Sequence, residues 1–294
     1  MRAIVPLGGA LVGAVMIVTV LGLTTSAADP SGSTRRNVGL VRTAVTPDVS
    51  SNWAGYAAIG PGSTPATASP LTSFTDVTAT WVQPAATCAA GASTAAAIWV
   101  GIGGYSLSSQ KLEQVGTDLD CSADGKASYY VWYELVPADA VNVRLKIFPG
   151  DTITASVLIT GSDVLVQVKD RTRRTSFTKH LPMIAPDLTS AEWIIEAPSE
   201  CGATCHELDL TNFGSFKLTR TFATASTPSA GVQGGRILSP FWETMAIRLI
   251  PTARRSYGDA SGVRASSTAG AVPVELAPDG GGFTANWVAN AAAG

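Results

Sequence analysis

The rhythm of this chain constrains its fold more than any other feature. Short runs rich in Val, Ile, Thr, Trp and Tyr recur between clusters of Gly, Pro, Ser, Asp and Thr. They fall at residues 52–59, 76–82, 96–102, 128–136, 141–147, 152–159, 164–168, 191–196, 244–250 and 282–288. Runs this short, bounded by turn formers, predict strands. Beyond the first 28 residues, no long segment keeps a helical period with caps. The expectation is an all-β fold, an antiparallel sandwich or barrel. The 29 Gly and 17 Pro fit the many turns such a fold needs.

Charge narrows the function. There are 20 Lys and Arg against 22 Asp and Glu, a formal net charge of −2. No basic excess is present to neutralise phosphates, so nucleic acid is not an expected partner. At 46% hydrophobic residues the chain is too apolar for a disordered protein.

The N-terminus reads as an export signal over residues 1–28. Met1-Arg2 supply a positive start, residues 3–23 are apolar, and Thr24-Thr25-Ser26-Ala27-Ala28 supplies small residues for cleavage. Pro6, Gly8, Gly9, Gly13 and Gly22 interrupt the apolar run and favour a cleaved signal over a membrane anchor. No second stretch of membrane-spanning length follows, so no membrane association is expected after signal removal. Residues 29–49 are polar, and read as a leader or short propeptide. The remaining domain spans 50–294. The expected location is extracellular, and nothing in the chain demands association beyond a monomer.

Four cysteines, Cys88, Cys121, Cys201 and Cys205, suit an exported chain with two disulfides. Three pairings are possible. Cys201 and Cys205 enclose three residues and can close locally, which leaves Cys88 with Cys121. No metal or cofactor is expected. His206-Glu207-Leu208-Asp209-Leu210 begins like a zinc-protease helix but has Leu where the second His must stand. Gly104-Tyr105-Ser106-Leu107-Ser108 resembles a nucleophile elbow but ends in Ser instead of Gly. With only His180 and His206 available, a serine triad is poorly supplied.

Carboxylate chemistry remains. Glu113, Glu134, Glu192 and Glu196 lie in or beside expected strands, and Gln114 follows Glu113. Strand alternation puts Tyr130, Trp132 and Glu134 on one face, and Glu192, Ile194 and Glu196 on one face. Two chemistries suit such groups. Paired Glu residues can hydrolyse glycosides, and a carbohydrate-active sandwich, whether glycosidase or lectin-like module, would use Trp53, Trp81, Trp132 and Trp242 as a sugar-stacking platform. A single Glu can instead activate water while an amide holds the oxyanion.

Five segments in order resemble one family. They are Ser51-Asn52-Trp53-Ala54-Gly55-Tyr56, Ala97-Ile98-Trp99-Val100-Gly101-Ile102-Gly103-Gly104, Leu112-Glu113-Gln114-Val115-Gly116, Tyr130-Val131-Trp132-Tyr133-Glu134 and Ala191-Glu192-Trp193-Ile194-Ile195-Glu196. Phe283-Thr284-Ala285-Asn286-Trp287 looks like the closing strand of the same family. On these residues the chain resembles the glutamic peptidases, or eqolisins. The resemblance implies a two-sheet antiparallel β-sandwich of the concanavalin-like, jelly-roll kind, and an endopeptidase acting on polypeptides in acid. It implies a catalytic dyad of Gln114 and Glu196, with Trp99 and Glu134 lining the site. It also supports the local Cys201–Cys205 pairing. One departure is visible: Gly103 stands where family members carry Asp, which removes an expected acidic neighbour of the dyad.

Overall fold

The computed structural model describes residues 2–3, 45–64, 71–201, 205–251 and 269–291. Strands dominate, and there is no α-helix among the described residues. The expected signal segment lies outside them apart from Arg2–Ala3, which pairs with a small ladder of Ser199–Cys201 and Cys205–Glu207. Of the expected leader, positions 29–44 also lie outside. Val45–Ser50 is a strand, running parallel to Glu243–Leu249.

Two sheets build the body. The first runs in the order Val141–Val143, Ala127–Val136, Leu112–Cys121, Thr94–Ile102, Ser190–Glu196, Trp53–Ile59 and Glu243–Leu249. The second runs Thr175–Pro182, Asp163–Asp170, Thr152–Thr160, Ser73–Val82, Ser215–Thr227, Gly282–Val288 and Gly270–Val274. These neighbours are all antiparallel. Among the described residues, the pairing of Leu249 with Ala271 carries the ladder from one sheet into the other. The sandwich expected from the sequence is therefore continuous along one edge and leans toward a barrel. Among the described residues, parallel pairing is limited to Val45–Ser50, beside Glu243–Leu249, and Asp209–Leu210, beside the first residues of Thr94–Ile102.

Period-two alternation explains the packing. Thr152–Thr160 and Asp163–Asp170 alternate buried and partly exposed residues along their length. Their inward Ile153, Val157, Val164, Val166 and Val168 meet Ile98, Val100, Val115, Val131, Trp193 and Ile195 of the first sheet. Each such side chain contributes about 1.5–3 kcal/mol on burial. Tyr56 and Phe283 meet edge-on across this core, with ring centroids 4.8 Å apart.

The first sheet is unusual because its central strands are buried on both faces. Every residue of Leu112–Cys121 and Ser190–Glu196 is buried. The face turned away from the second sheet carries its own apolar cluster, including Trp53, Ala97, Trp99, Trp132, Ile194 and Ile247. Polar residues on that face are set among apolar ones, which is where function is expected.

Candidate active site

The outer face of the first sheet gathers the site. Gln114 stands opposite Glu134 on the adjacent strand, and its Nε2 donates to Glu134 Oε2 at 2.7 Å. Glu134 is 1% exposed and Gln114 is fully buried. The Gln114 carbonyl oxygen has no hydrogen-bond partner among the described residues. Buried polar atoms normally find partners, so an open one on a functional face is informative.

Glu196 ends the strand Ser190–Glu196 and is also fully buried. Its Oε2 accepts from Trp99 Nε1 at 2.8 Å, and its Oε1 accepts from Asn52 Nδ2 at 3.1 Å. Trp53 meets Trp99 edge-on, with centroids 5.0 Å apart. Burial pushes the Glu196 carboxyl well above the ordinary carboxylate range. The Trp99 and Trp53 indoles oppose that shift, while the charges of Glu134 and Asp118 add to it.

Trp99 links the two halves. Cross-strand register puts Gln114 opposite Gly101 and Gly101 opposite Glu192. Glu196 lies further along, opposite Ala97, which is opposite Asp118. Gln114 and Glu196 thus share a face but make no direct hydrogen bond. Gly101 and Gly116 make room for the indole between them. A Cβ on Gly101 would lie 2.9 Å from the Trp99 ring, and one on Gly116 would lie 2.6 Å from Trp99 Cβ. The Trp99 ring fills the space over Gly101, between Gln114 and Glu192, while its N–H reaches Glu196.

A second polar network adjoins it. Asp118 accepts from Trp132 Nε1 and Tyr130 Oη, each at 2.7 Å, and Tyr130 Oη also reaches Asp120 at 2.9 Å. The sequence pointed to Tyr130, Trp132 and Glu134, while Asp118 and Asp120 went unmarked and Asn52 stood in a family-like segment without a role. Alternation from Gln114 would have found both Asp residues, since 114, 116, 118 and 120 share a face.

Other expectations also meet the structure here. The Gly103 backbone has φ +84°, and a Cβ there would lie 2.6 Å from the Asp187 carbonyl oxygen and 2.7 Å from its Cβ. Trp53, Trp81, Trp132 and Trp242 are each at most 4% exposed, so none presents a ring face to a sugar. Cys88 and Cys121 form a disulfide. Cys201 and Cys205 are backbone partners in a short ladder, but their side chains lie outside the described residues, as does that of His206. His180 is on an edge strand and bonds Asp163 at 2.7 Å, remote in the fold from these carboxyls. Among the described residues no cluster of His, Cys, Asp or Glu is suited to a metal ion.

Comparison with known proteins agrees with this architecture. Residues 51–250 match the model of the Peptidase A4 family. Aspergillopepsin-2 of Aspergillus niger is 29% identical over 214 residues, covering 65% of this chain and 70% of the relative. Scytalidopepsin B of Scytalidium lignicola is 30% identical over 188 residues, covering 62% of this chain and 65% of the relative. In fold, the chain is similar to scytalido-glutamic peptidase crystallised with a peptide-based transition state analog. The TM-score is 0.52 at 21% identity, over 81% of this chain and 98% of that one. The family match spans most of the chain, from the Asn52 segment through the Glu196 strand and beyond: the protein belongs to the Peptidase A4 family, the glutamic peptidases, and is a peptide hydrolase.

Proposed function

We propose that this protein is a secreted endopeptidase that cleaves polypeptides on the acid side of neutrality with Gln114 and Glu196 as its dyad. The observation that carries the reading is the unpartnered buried carbonyl oxygen of Gln114, held on the sheet face that also buries the Glu196 carboxyl. Glu134 fixes the amide through one N–H. That leaves the Gln114 carbonyl oxygen to accept from an attacking water and the second N–H to donate to the oxyanion. Glu196 takes the proton from that water as the hydroxyl adds to the scissile carbonyl. It then returns the proton to the leaving amine as the C–N bond breaks. A neutral amide keeps its donors at any pH, whereas a His would be charged in acid.

Secretion rests on the apolar segment 3–23 and on the Cys88–Cys121 disulfide, which suits an oxidising compartment. The test of the dyad is digestion of casein or haemoglobin between pH 2 and 6, with product masses, by wild type, Glu196→Gln and Gln114→Ala. Both variants are expected to remain folded and to lose most cleavage. Undiminished cleavage by purified Glu196→Gln overturns the reading.

A further inference from the structure

The strands that carry Trp99, Gln114 and Glu196 come together at one end of the sheet, beside the carboxylate of Asp187. Thr94–Ile102 leads into a loop of residues 103–111, which then enters Leu112–Cys121. The segment just before Ser190–Glu196 carries Asp187. Asp187 Oδ2 accepts from the backbone N–H of Gly104 at 3.2 Å and from the Ser109 hydroxyl. Its Oδ1 accepts from the Thr189 N–H at 3.0 Å.

Other contacts close the same seam. Lys111 Nζ donates to the carbonyls of Ile184 and Ala185 at 2.7 and 2.6 Å, and Gly103 N–H donates to Ser190 O at 3.0 Å. Asp187 also occupies the room that any side chain at position 103 would need. The clamped loop carries Tyr105, which packs against the Trp53–Trp99–Trp132 cluster and donates to Asp48 at 2.5 Å.

We propose that Asp187 is a positioning residue of the peptidase reaction, locking loop 103–111 so that Trp99 and Gln114 hold their places relative to Glu196. This rests on the dyad reading above. The reason is geometric. Gln114 lies three residues past Lys111, so slack in the loop enters directly into the strand that aims the amide. A displacement near 1 Å of an oxyanion donor costs on the order of 100-fold in rate. Because the amide acts on charge that develops only in the transition state, the loss falls on kcat more than on KM.

The test measures kcat and KM for a peptide substrate, with thermal unfolding, on wild type, Asp187→Ala, Asp187→Asn and Ser109→Ala. Asp187→Ala is expected to lower kcat about tenfold or more with KM changed less than threefold, at a temperature where the protein is fully folded. Asp187→Asn, which keeps the shape and one acceptor, is expected to recover part of that loss. Adding Ser109→Ala to Asp187→Ala is expected to cost little more, because the two act through one contact. Wild-type kcat in Asp187→Ala with only a lower melting temperature overturns the proposal. Should Asp187→Ala fail to fold, wild-type kcat in Asp187→Asn overturns it equally. Glu196→Gln, assayed alongside, separates the two readings. If it retains turnover, the dyad assignment fails, while the Asp187 effect is still read against wild type.

Discussion

Gln114 and Glu134 face each other directly across one antiparallel ladder, and the amide donates to the carboxylate at 2.7 Å. This pair decides which end of the amide is free for chemistry. If Gln114 is the oxyanion donor of the proposed dyad, replacing it by Ala is expected to lower kcat by about 10²–10³. Glu134→Ala leaves the amide in place but frees it to rotate, so a smaller loss of about tenfold is expected. The two should be largely non-additive to the extent that Glu134 acts by holding Gln114, whereas its charge beside Glu196 is a separate contribution. Single-turnover kinetics on the double-mutant cycle measure this. Fully additive losses would mean that Glu134 does not act by holding Gln114.

With Glu196 as the base of the proposed mechanism, its environment is expected to set the pH profile. Burial raises its pKa, whereas hydrogen bonds from Trp99 and Asn52 to the carboxylate stabilise the ionised form. Gln114 contributes no direct hydrogen bond to this carboxylate. A base needs its proton off, so kcat/KM is expected to rise with pH through the acid range, with a limb above the ordinary carboxylate value. Asn52→Ala should move that limb up by about one to two pH units, since a hydrogen bond to a charged group contributes roughly 1.5–3 kcal/mol. The pH dependence of kcat/KM for both proteins checks this. A rate already maximal near pH 2 would show that Glu196 begins the cycle protonated.

Much of this was legible in the sequence, with instructive gaps. The runs at 52–59 and 282–288 mark strands because their residues are β-formers with turns on both sides. Leu112–Cys121, which carries Gln114, has no such run. Its Glu113, Gln114, Asp118 and Asp120 break the apolar alternation, yet all are buried: Gln114, Asp118 and Asp120 on an outer face that is itself a packed polar site, and Glu113 on the inner face. Thr175–Pro182 was hidden for the reverse reason, as an edge strand exposed along most of its length. The run at 141–147 is a strand only as far as Val143. Asp187 was invisible, because its partners at Gly104 and Ser109 are about eighty residues away in sequence.

Gly116 shows how tightly the site is packed. A Cβ there would lie 2.3 Å from Ile98 O and 2.6 Å from Trp99 Cβ. Gly116→Ala must therefore push apart two central strands or displace Trp99 from Glu196. Overpacking of this kind typically costs about 1–3 kcal/mol. The variant is expected to unfold at lower temperature and, where still folded, to lose activity. Calorimetry and peptide cleavage on the same sample check both. Wild-type values in both would contradict the packing described for Trp99.

Glu113 predicts that the fold itself favours acid. Its side chain is on the inner face beside Gln114, fully buried, and burial pushes its pKa from 4.5 to about 8. The Asp187 charge adds to the rise, while Lys111 and the backbone N–H groups of Asp187 and Glu113 oppose it. Glu192 is raised as well, by burial first and then by the charges of Asp187 and Glu113, against the Ser190 hydroxyl. A raised carboxyl binds its proton more tightly in the folded state than in the unfolded one. Stability from this source is therefore complete below the ordinary value. It is lost as pH climbs from about 4.5 to about 8, at roughly 1.4 kcal/mol per pH unit for Glu113. Melting temperature is expected to fall across that window, and Glu113→Gln, which carries no charge to bury, should flatten the fall. Thermal unfolding of both proteins from pH 3 to 8 decides the matter. If the two curves stay parallel, Glu113 is not the group that ties this peptidase fold to acid.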